Sequence, residues 1–319
     1  MFKDWRVGLP APPVSRPVVS PQEKIDLIYI VGCGRSGSTL LDLVLGSHPA
    51  IISIGEVWYH GRWQANNFTC TCGAPFDTCE FWRAVMTHLR QQQIQVAVSP
   101  VSDPLQKLFA SLQIYTGLRL LSQESIQQYS WASYQLFKAV RDVSGKPIVL
   151  DSSKNPLRLF YLCLSGYFNV KIIHLVRDGR AFLNSTSKRM KMSAQGDDKW
   201  MLPLNAWRAS YRWILMNTLS SRLRKLLPAT WSCQIKYEEF AAAPVATIQR
   251  LCDFLQIDYC PGMLKGAQVP HHNISGSRWR FQKDLVIRLD ETWRTELSRR
   301  RLLTFKLLAQ WLNHRFGYQ

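Results

Sequence analysis

The chain has 319 residues, of which 46% are apolar and 19% charged. This composition excludes disordered, collagen-like and low-complexity proteins and is typical of a globular chain with a substantial core. Lysine and arginine number 40 against 22 acidic residues, which gives a formal net charge of +18. Such a charge favours a polyanionic partner, whether nucleotide phosphate, nucleic acid, acidic glycan or anionic lipid.

The first 23 residues are rich in proline and contain no apolar signal core. No stretch of the chain approaches the ~18 consecutive apolar residues of a membrane-spanning helix. We therefore expect residues 1–23 to form an extended lead-in, residues 24–319 to form a single domain, and the protein to be cytoplasmic.

Short apolar runs bounded by glycine, aspartate or charged residues predict the strands of a buried parallel sheet. These runs cover residues 25–31, 51–54, 147–150, 170–176 and 232–237. Helical patterns alternate with them over residues 39–46, 155–166, 180–192, 203–226, 241–256 and 284–316. The alternation predicts an α/β fold, a central parallel sheet flanked by helices, with its ligand site at the carboxyl ends of the strands. Residues 80–145 contain no convincing strand and are expected to form a helical insertion of two or three helices.

A glycine-rich loop follows the first predicted strand. Residues 32–39 match the pattern G-x-x-x-x-G-[K]-[ST], with Ser38 in the place of the lysine. The glycines let backbone N–H groups approach an anion, and the N-terminus of the next helix adds positive potential. Ser36, Ser38 and Thr39 add hydroxyl donors, and Arg35 adds a cation. The loop predicts a phosphate site without the lysine of kinases and triphosphate hydrolases; a simple turn between strand and helix is the alternative.

A second basic cluster follows the predicted strand at residues 170–176. Arg177 comes directly after this strand, and Ser185 and Arg189 are spaced to share one face of the next helix. Arginine binds phosphate through two parallel hydrogen bonds, so these residues predict a second anion site. The alternative is a helix capped by Asp178 with an exposed basic face. Two anion sites on adjacent strand ends predict a ligand with phosphates at two positions.

Together the two motifs resemble those of the sulfotransferases that use 3′-phosphoadenosine 5′-phosphosulfate (PAPS). Residues 34–39 match that family's 5′-phosphosulfate loop, (P/G)-(K/R)-S-G-(S/T)-T, and Arg177 with Ser185 matches its 3′-phosphate motif. The resemblance extends over about residues 25–281. It implies the P-loop-like sulfotransferase fold, PAPS as co-substrate and no required metal. The residues that it places at the 5′-phosphosulfate are Arg35, Ser36, Gly37, Ser38 and Thr39.

The likeness is closest to the tyrosylprotein and carbohydrate branches of that family. Glu56 matches the catalytic base of the tyrosylprotein branch, and Lys154 matches a lysine that stabilises the transition state there. Arg35 is expected to act with Lys154 on the leaving group. Tyr237 and Arg189 match further cofactor contacts.

The segment at residues 272–281 looks like the H-x-x-x-G-N-x-x-R-F ending of carbohydrate sulfotransferases. Ser277 stands where that pattern has asparagine, and Arg280 is the expected cofactor-facing cation.

The resemblance implies sulfuryl transfer to a hydroxyl or amine of an acceptor, which is expected to be a carbohydrate, a glycolipid or a protein tyrosine. The helical insertion at residues 80–145 is expected to form the acceptor side, and the positive charge favours an acidic or sugar-containing acceptor. Asp151 ends an apolar run as the metal-holding aspartate of P-loop kinases does, so a nucleotide kinase or NTPase is the first alternative. A non-catalytic nucleic-acid-binding protein is the second; it explains the charge but not two strand-end motifs, and we expect no nucleic acid partner.

Three cysteines, Cys70, Cys72 and Cys79, lie within ten residues and form what we call the cysteine cluster. With His60 or His88 as a fourth ligand they are able to hold a structural zinc ion. Because C-x-C is a poorer zinc spacing than C-x2-C, packing of reduced thiols is the favoured interpretation, and a disulfide is a third possibility.

Overall fold

The computed structural model describes residues 19–59, 63, 67–94, 104–117, 120–188, 190–191, 200–268, 270–282 and 286–319. Arg189, a predicted cofactor contact, and His60, a predicted zinc ligand, lie outside the described residues.

A parallel sheet forms the centre of the described chain, as the sequence predicted. The strands are β1 (Ile25–Gly32), β2 (Ile51–Ser53), β3 (Ile148–Lys154), β4 (Phe168–Val176), β5 (Met190–Lys191), β6 (Trp200–Met201) and β7 (Ser232–Lys236). Five of them pair in parallel in the order β2-β3-β1-β4-β7. The short strands β5 and β6 pair with each other in antiparallel fashion.

Helices flank this sheet. They are α1 (Ser38–Gly46), α2 (Glu80–Gln91), α3 (Pro104–Thr116), α4 (Gln123–Ser144), α5 (Pro156–Ser165), α6 (Gly179–Ser187), α7 (Ala206–Leu226), α8 (Tyr237–Ala242), α9 (Pro244–Leu255), α10 (Trp293–Glu296) and α11 (Arg299–Arg315). Helices α2, α3 and α4 make up the helical insertion that the sequence predicted. In the described ranges, none of the helices combines the length and apolar character needed to cross a bilayer.

Both faces of the sheet are buried, which explains why its strands appear in the sequence as continuous apolar runs. In the central strand β1, Leu27 and Tyr29 pack on the face covered by α4 and α5. Ile28 and Ile30 point to the opposite face, where α1 and α9 cover them. A third cluster joins α6, α7 and α11 beside the end of β4.

Several element boundaries differ from the prediction. The helix predicted at 241–256 is two helices, because Pro244 begins α9 and has no N–H to continue α8. The helix predicted at 180–192 ends at Ser187, after which the chain pairs with β6 and Leu204 N donates to the Thr186 carbonyl. The strand predicted at 147–150 continues to Lys154 in polar residues that pair with β1.

The helix predicted at 284–316 is also divided. Within the described residues 286–319, helix begins only at Trp293, and the two segments are α10 and α11. The residues before Trp293 instead extend across the ends of the strands, where Arg288 and Asp290 make contacts described below.

Candidate functional site

The parallel sheet brings the predicted site residues to one edge. Because the strands run in the same direction, their carboxyl ends meet there. The loop that contains Arg35 follows β1, Lys154 ends β3, Arg177 follows β4 and Tyr237 follows β7. Glu56 lies three residues beyond the end of β2 on the same edge.

The two predicted anion motifs meet in one cluster. Arg35 Nε donates a hydrogen bond of 3.0 Å to Ser185 Oγ on α6. Arg177 Nη1 donates one of 2.9 Å to the carbonyl of Arg35. Burial, reinforced by repulsion from Arg177, lowers the pKa of Arg35. Two cations held this close together favour an anion between or beside them.

Tyr237 forms one wall of this cluster. Its ring lies under the guanidinium of Arg177, with Cζ 4.6 Å from the ring centroid, and its hydroxyl donates to the Arg288 carbonyl at 2.8 Å. Gly37 has a φ of +84°, and a Cβ there would lie only 2.5 Å from Tyr237 Cδ2. Glycine is therefore required at this position both for its backbone conformation and for the close approach of the ring.

Asp290 is a member of the site that the sequence analysis missed. Its Oδ2 lies 2.7 Å from Arg177 Nη2, and its Oδ1 accepts a hydrogen bond from the Thr292 hydroxyl. Burial opposes ionisation, but hydrogen bonds from Thr292 and Arg177 dominate and lower the pKa of Asp290. The carboxylate thus stands where an anionic ligand would meet Arg177.

Unpartnered buried donors support an anion site at this edge. In the part of the chain that the structure describes, Ser36 Oγ and Arg177 Nε are buried without a hydrogen-bond partner, as are Ser277 Oγ and Arg280 Nε. A buried polar group without a partner costs about 1–3 kcal/mol, so such groups call for a ligand or water. Ser36 and Arg177 both belong to the predicted phosphate motifs. The residues present therefore fit a ligand with phosphate groups.

Next to this cluster, Lys154 Nζ contacts Glu56 Oε1 directly. The two side chains are only 12% and 13% exposed. Lys154 ends β3 and Glu56 follows β2, and these two strands are neighbours in the sheet. A carboxylate in this position is able to accept a proton, and an ammonium group is able to stabilise negative charge that develops beside it.

Residues 271–281, which we call the strap, close over Glu56. Gly276 in the strap has a φ of +132°, and a Cβ there would lie 3.5 Å from Thr39 Oγ1 and 3.7 Å from Glu56 Oε1. Ser277 N donates to Thr39 Oγ1 at 3.3 Å. The strap therefore joins the end of the glycine-rich loop to the carboxylate.

Arg280 holds the strap in place. It donates to the Gly276 carbonyl at 3.3 Å and to the Thr69 carbonyl at 3.0 Å. Burial lowers the pKa of Arg280 to about 10, against the attraction of Glu56. Its two terminal nitrogens thus bind backbone carbonyls, and its buried Nε has no hydrogen-bond partner.

The role that the kinase alternative gives to Asp151 is wrong. Asp151 Oδ2 accepts from Arg158 Nε at 2.8 Å, both side chains are fully buried, and Oδ1 accepts from the backbone N–H of Ser153 at 2.9 Å. Both carboxylate oxygens are thus engaged inside the protein and are not directed to a metal at the sheet edge.

The fourth side chain at the cysteine cluster is His272. His88, one of the two predicted ligands, lies elsewhere, with its Nε2 3.7 Å from Asp142 Oδ2. The cysteines of the chain are free thiols, so the structure contains no disulfide among the described residues. Sequence spacing could not identify His272, because 193 residues separate it from Cys79.

Comparisons with known proteins agree with these observations. A family model described as "Sulfotransferase family" matches residues 27–261, which include Arg35, Glu56, Lys154, Arg177 and Ser185. Comparison with curated protein sequences gives no match.

Two solved structures share the fold. The sulfotransferase domain of the olefin synthase from Synechococcus PCC 7002 has a TM-score of 0.58 at 18% identity, covering 95% of this chain and 99% of that one. The sulfotransferase domain from the curacin biosynthetic pathway has a TM-score of 0.53 at 18% identity, covering 92% of this chain and 98% of that one. The family match covers most of the chain and includes both anion motifs. The chain therefore belongs to the sulfotransferase family.

Proposed function

We propose that this sulfotransferase moves the sulfuryl group of PAPS to a hydroxyl or amine of a carbohydrate, a glycolipid or a protein tyrosine. The observation that carries the proposal is the adjacency of two units at one sheet edge. One is the cluster of Arg35, Arg177 and Ser185, and the other is the pair of Glu56 and Lys154.

The donor contacts follow from this geometry. The loop at residues 35–39, with its unpartnered Ser36 hydroxyl, binds the 5′-phosphosulfate. Arg177 and Ser185 bind the 3′-phosphate. The phosphate then displaces the Asp290 carboxylate from its ion pair with Arg177. Tyr237, which already packs on Arg177, borders the nucleotide. Arg189 is proposed as a further phosphate contact on the strength of its position in the motif.

The chemistry is an in-line displacement, close in logic to phosphoryl transfer. Glu56 accepts the proton of the acceptor hydroxyl, and Lys154 and Arg35 stabilise the negative charge that grows on the bridging oxygen of the departing nucleotide. Because a sulfuryl group carries less charge than a phosphoryl group, these two cations replace the magnesium that kinases need.

The acceptor is proposed to enter beside Glu56, between the strap and the helical insertion α2–α4. The turn Val57–Tyr59 follows Glu56 directly and carries Trp58, whose backbone N–H is fixed by Ser153 Oγ at 3.0 Å. An aromatic ring at this position suits a sugar ring or a phenol. The formal net charge of +18 attracts an acidic acceptor as well as the donor.

Calorimetry with 3′-phosphoadenosine 5′-phosphate (PAP) and with ATP tests the donor. We expect PAP to bind and ATP to bind far more weakly; the reverse order would refute the proposal. Transfer from radiolabelled PAPS to a panel of glycans, glycolipids and tyrosine peptides then identifies the acceptor. The same assay without magnesium is expected to give unchanged rates, and rates that depend on magnesium would contradict the mechanism.

A further inference from the structure

Four ligand atoms meet at the cysteine cluster. The Sγ atoms of Cys70, Cys72 and Cys79 and a ring nitrogen of His272 all lie within 4.8 Å of one another. The two sulfurs of Cys72 and Cys79 are 3.6 Å apart. His272 Nδ1 is 3.4 Å from Cys79 Sγ and 3.8 Å from Cys70 Sγ.

These spacings are those of a tetrahedral zinc site. With Zn–S bonds of about 2.3 Å and a Zn–N bond of about 2.05 Å, a tetrahedron places sulfurs about 3.8 Å apart and sulfur about 3.6 Å from nitrogen. A disulfide needs sulfurs about 2.05 Å apart and would use only two of the four groups. Three thiolates and one imidazole form a complete, soft ligand set, which is typical of structural zinc.

Local structure positions the ligands before any metal arrives. A tight turn brings Gly73 N to the Cys70 carbonyl at 2.9 Å, and Cys70 N in turn donates to the Ala74 carbonyl at 2.8 Å. Cys79 is the N-cap residue of α2, and the start of this helix fixes its position. Cys70 and Cys79 are buried, whereas Cys72 is exposed and lies on the solvent side of the cluster.

His272 reaches this turn from the strap and is fixed there by its neighbours. Its ring stacks on Phe81 with centroids 4.7 Å apart, and its carbonyl accepts from Trp82 Nε1 at 2.7 Å. Thr71 adds a backbone pairing with Asn273 at 3.0 Å. The imidazole is thus held in one orientation, as the histidine ligands of metal sites are.

We propose that Cys70, Cys72, Cys79 and His272 bind a structural zinc ion that fastens the strap to the turn at residues 70–79. The ion lies outside the reaction, and the proposal does not depend on sulfuryl transfer. The ion would nevertheless affect the candidate site through the strap, in which Gly276 lies against Glu56 and Arg280 binds the Thr69 carbonyl.

The test is metal analysis of the full-length protein, purified under reducing conditions without chelators and supplied with zinc. We expect about one tightly held zinc ion per chain. Replacement by cobalt should give the intense visible absorption of a tetrahedral cobalt–thiolate complex. Protein that folds and contains no zinc, or that acquires no such absorption with cobalt, refutes the site.

Variants separate the site from general thiol binding. Cys72→Ser changes the exposed ligand and is expected to fold but lose the metal, and His272→Asn is expected to do the same. Cys260→Ser, which removes a cysteine elsewhere in the chain, should retain it. Equal zinc content in Cys72→Ser and Cys260→Ser would contradict the assignment, as would a Cys72–Cys79 disulfide in peptides mapped without reduction.

Loss of the metal should also release the strap. Limited proteolysis of the folded Cys72→Ser variant is expected to cut within residues 271–281 faster than in wild type or Cys260→Ser. Identical cleavage in all three proteins would show that the ion does not fasten the strap.

Discussion

Lys154 Nζ at the end of β3 contacts Glu56 Oε1, which follows the neighbouring strand β2, although the two residues are 98 positions apart in sequence. The contact places the proposed base beside the proposed leaving-group cation before any substrate is bound. It also directs the Glu56 carboxylate toward the edge of the sheet where the strap covers it.

Glu56→Gln is expected to lower the turnover rate by about 10²–10⁴-fold, since an amide cannot accept the proton of the acceptor. PAP affinity should change little, because the nucleotide contacts lie on other residues. Single-turnover transfer from labelled PAPS and calorimetry with PAP measure the two effects separately. A variant that keeps its rate, or that loses PAP binding instead, would show that Glu56 is not the base.

Arg177→Ala is expected to act in the opposite way. Hydrogen bonds to charged groups contribute ~1.5–3 kcal/mol, so PAP affinity should fall by about 10- to 150-fold. The turnover rate at saturating PAPS should fall less than this. Arg250→Ala removes an exposed arginine paired with Glu239 and serves as the matched control. Equal PAP affinity in the two variants would contradict the assignment of Arg177 to the 3′-phosphate.

Asp290→Asn should tighten PAP binding, because the Asp290 carboxylate competes with the ligand for Arg177. The carboxylate is 40% exposed, and half-exposed ion pairs contribute at most ~1 kcal/mol, so we expect an increase of about two- to fivefold. Glu291→Gln, a neighbouring change at a residue that pairs with Arg294, should leave affinity unchanged. Weaker PAP binding by Asp290→Asn would mean that the carboxylate helps the ligand rather than competes with it.

Asp151→Asn is expected to lower the free energy of unfolding by about 3–5 kcal/mol, since it leaves the buried Arg158 charge without its partner. Chemical denaturation measures this loss. Adding Arg158→Met to the same chain removes the uncompensated charge and should restore much of the stability. A stable Asp151→Asn protein with impaired magnesium binding would instead support the alternative in which Asp151 binds a metal ion.

Acid should destabilise the protein through His174 on strand β4. Burial lowers the pKa of His174 to about 3 from its ordinary 6.5. Between these two pH values the unfolded chain therefore binds a proton on His174 and the folded chain does not. The stability due to neutral His174 is therefore lost as the pH falls from about 6.5 toward 3. Melting temperatures should fall more steeply below pH 6.5 in wild type than in His174→Gln, and parallel curves would contradict this cause.

The sequence predicted the fold well where a strand, a glycine-rich turn and a helix follow one another. The loop from β1 to α1 and the position of Arg177 after β4 are local patterns of this kind. Strand β3 was predicted to end at Leu150 but continues four residues further, to Lys154. Asp151, Ser152 and Ser153 are polar, yet they are buried in this strand, which continues to pair with β1.

Contacts between distant segments were not predictable in the same way. Nothing local to Asp290 indicates that it pairs with Arg177, and nothing near Cys79 points to His272. Both contacts are made by residues beyond 270, whose course depends on the completed sheet rather than on their own periodicity. Asp151 shows the converse error, since a carboxylate at a strand end looked available in sequence but is taken by Arg158.

The strap has a consequence for the timing of activity in a chain made from the N-terminus onward. Gly276, Ser277 and Arg280 complete the surroundings of Thr39 and Glu56, yet they are synthesised more than two hundred residues later. A partly translated polypeptide therefore contains the glycine-rich loop and Glu56 without the segment that closes over them. The contacts that close this side of the site thus have a long separation in sequence, so they form only after residues 271–281 have been made and the sheet has folded.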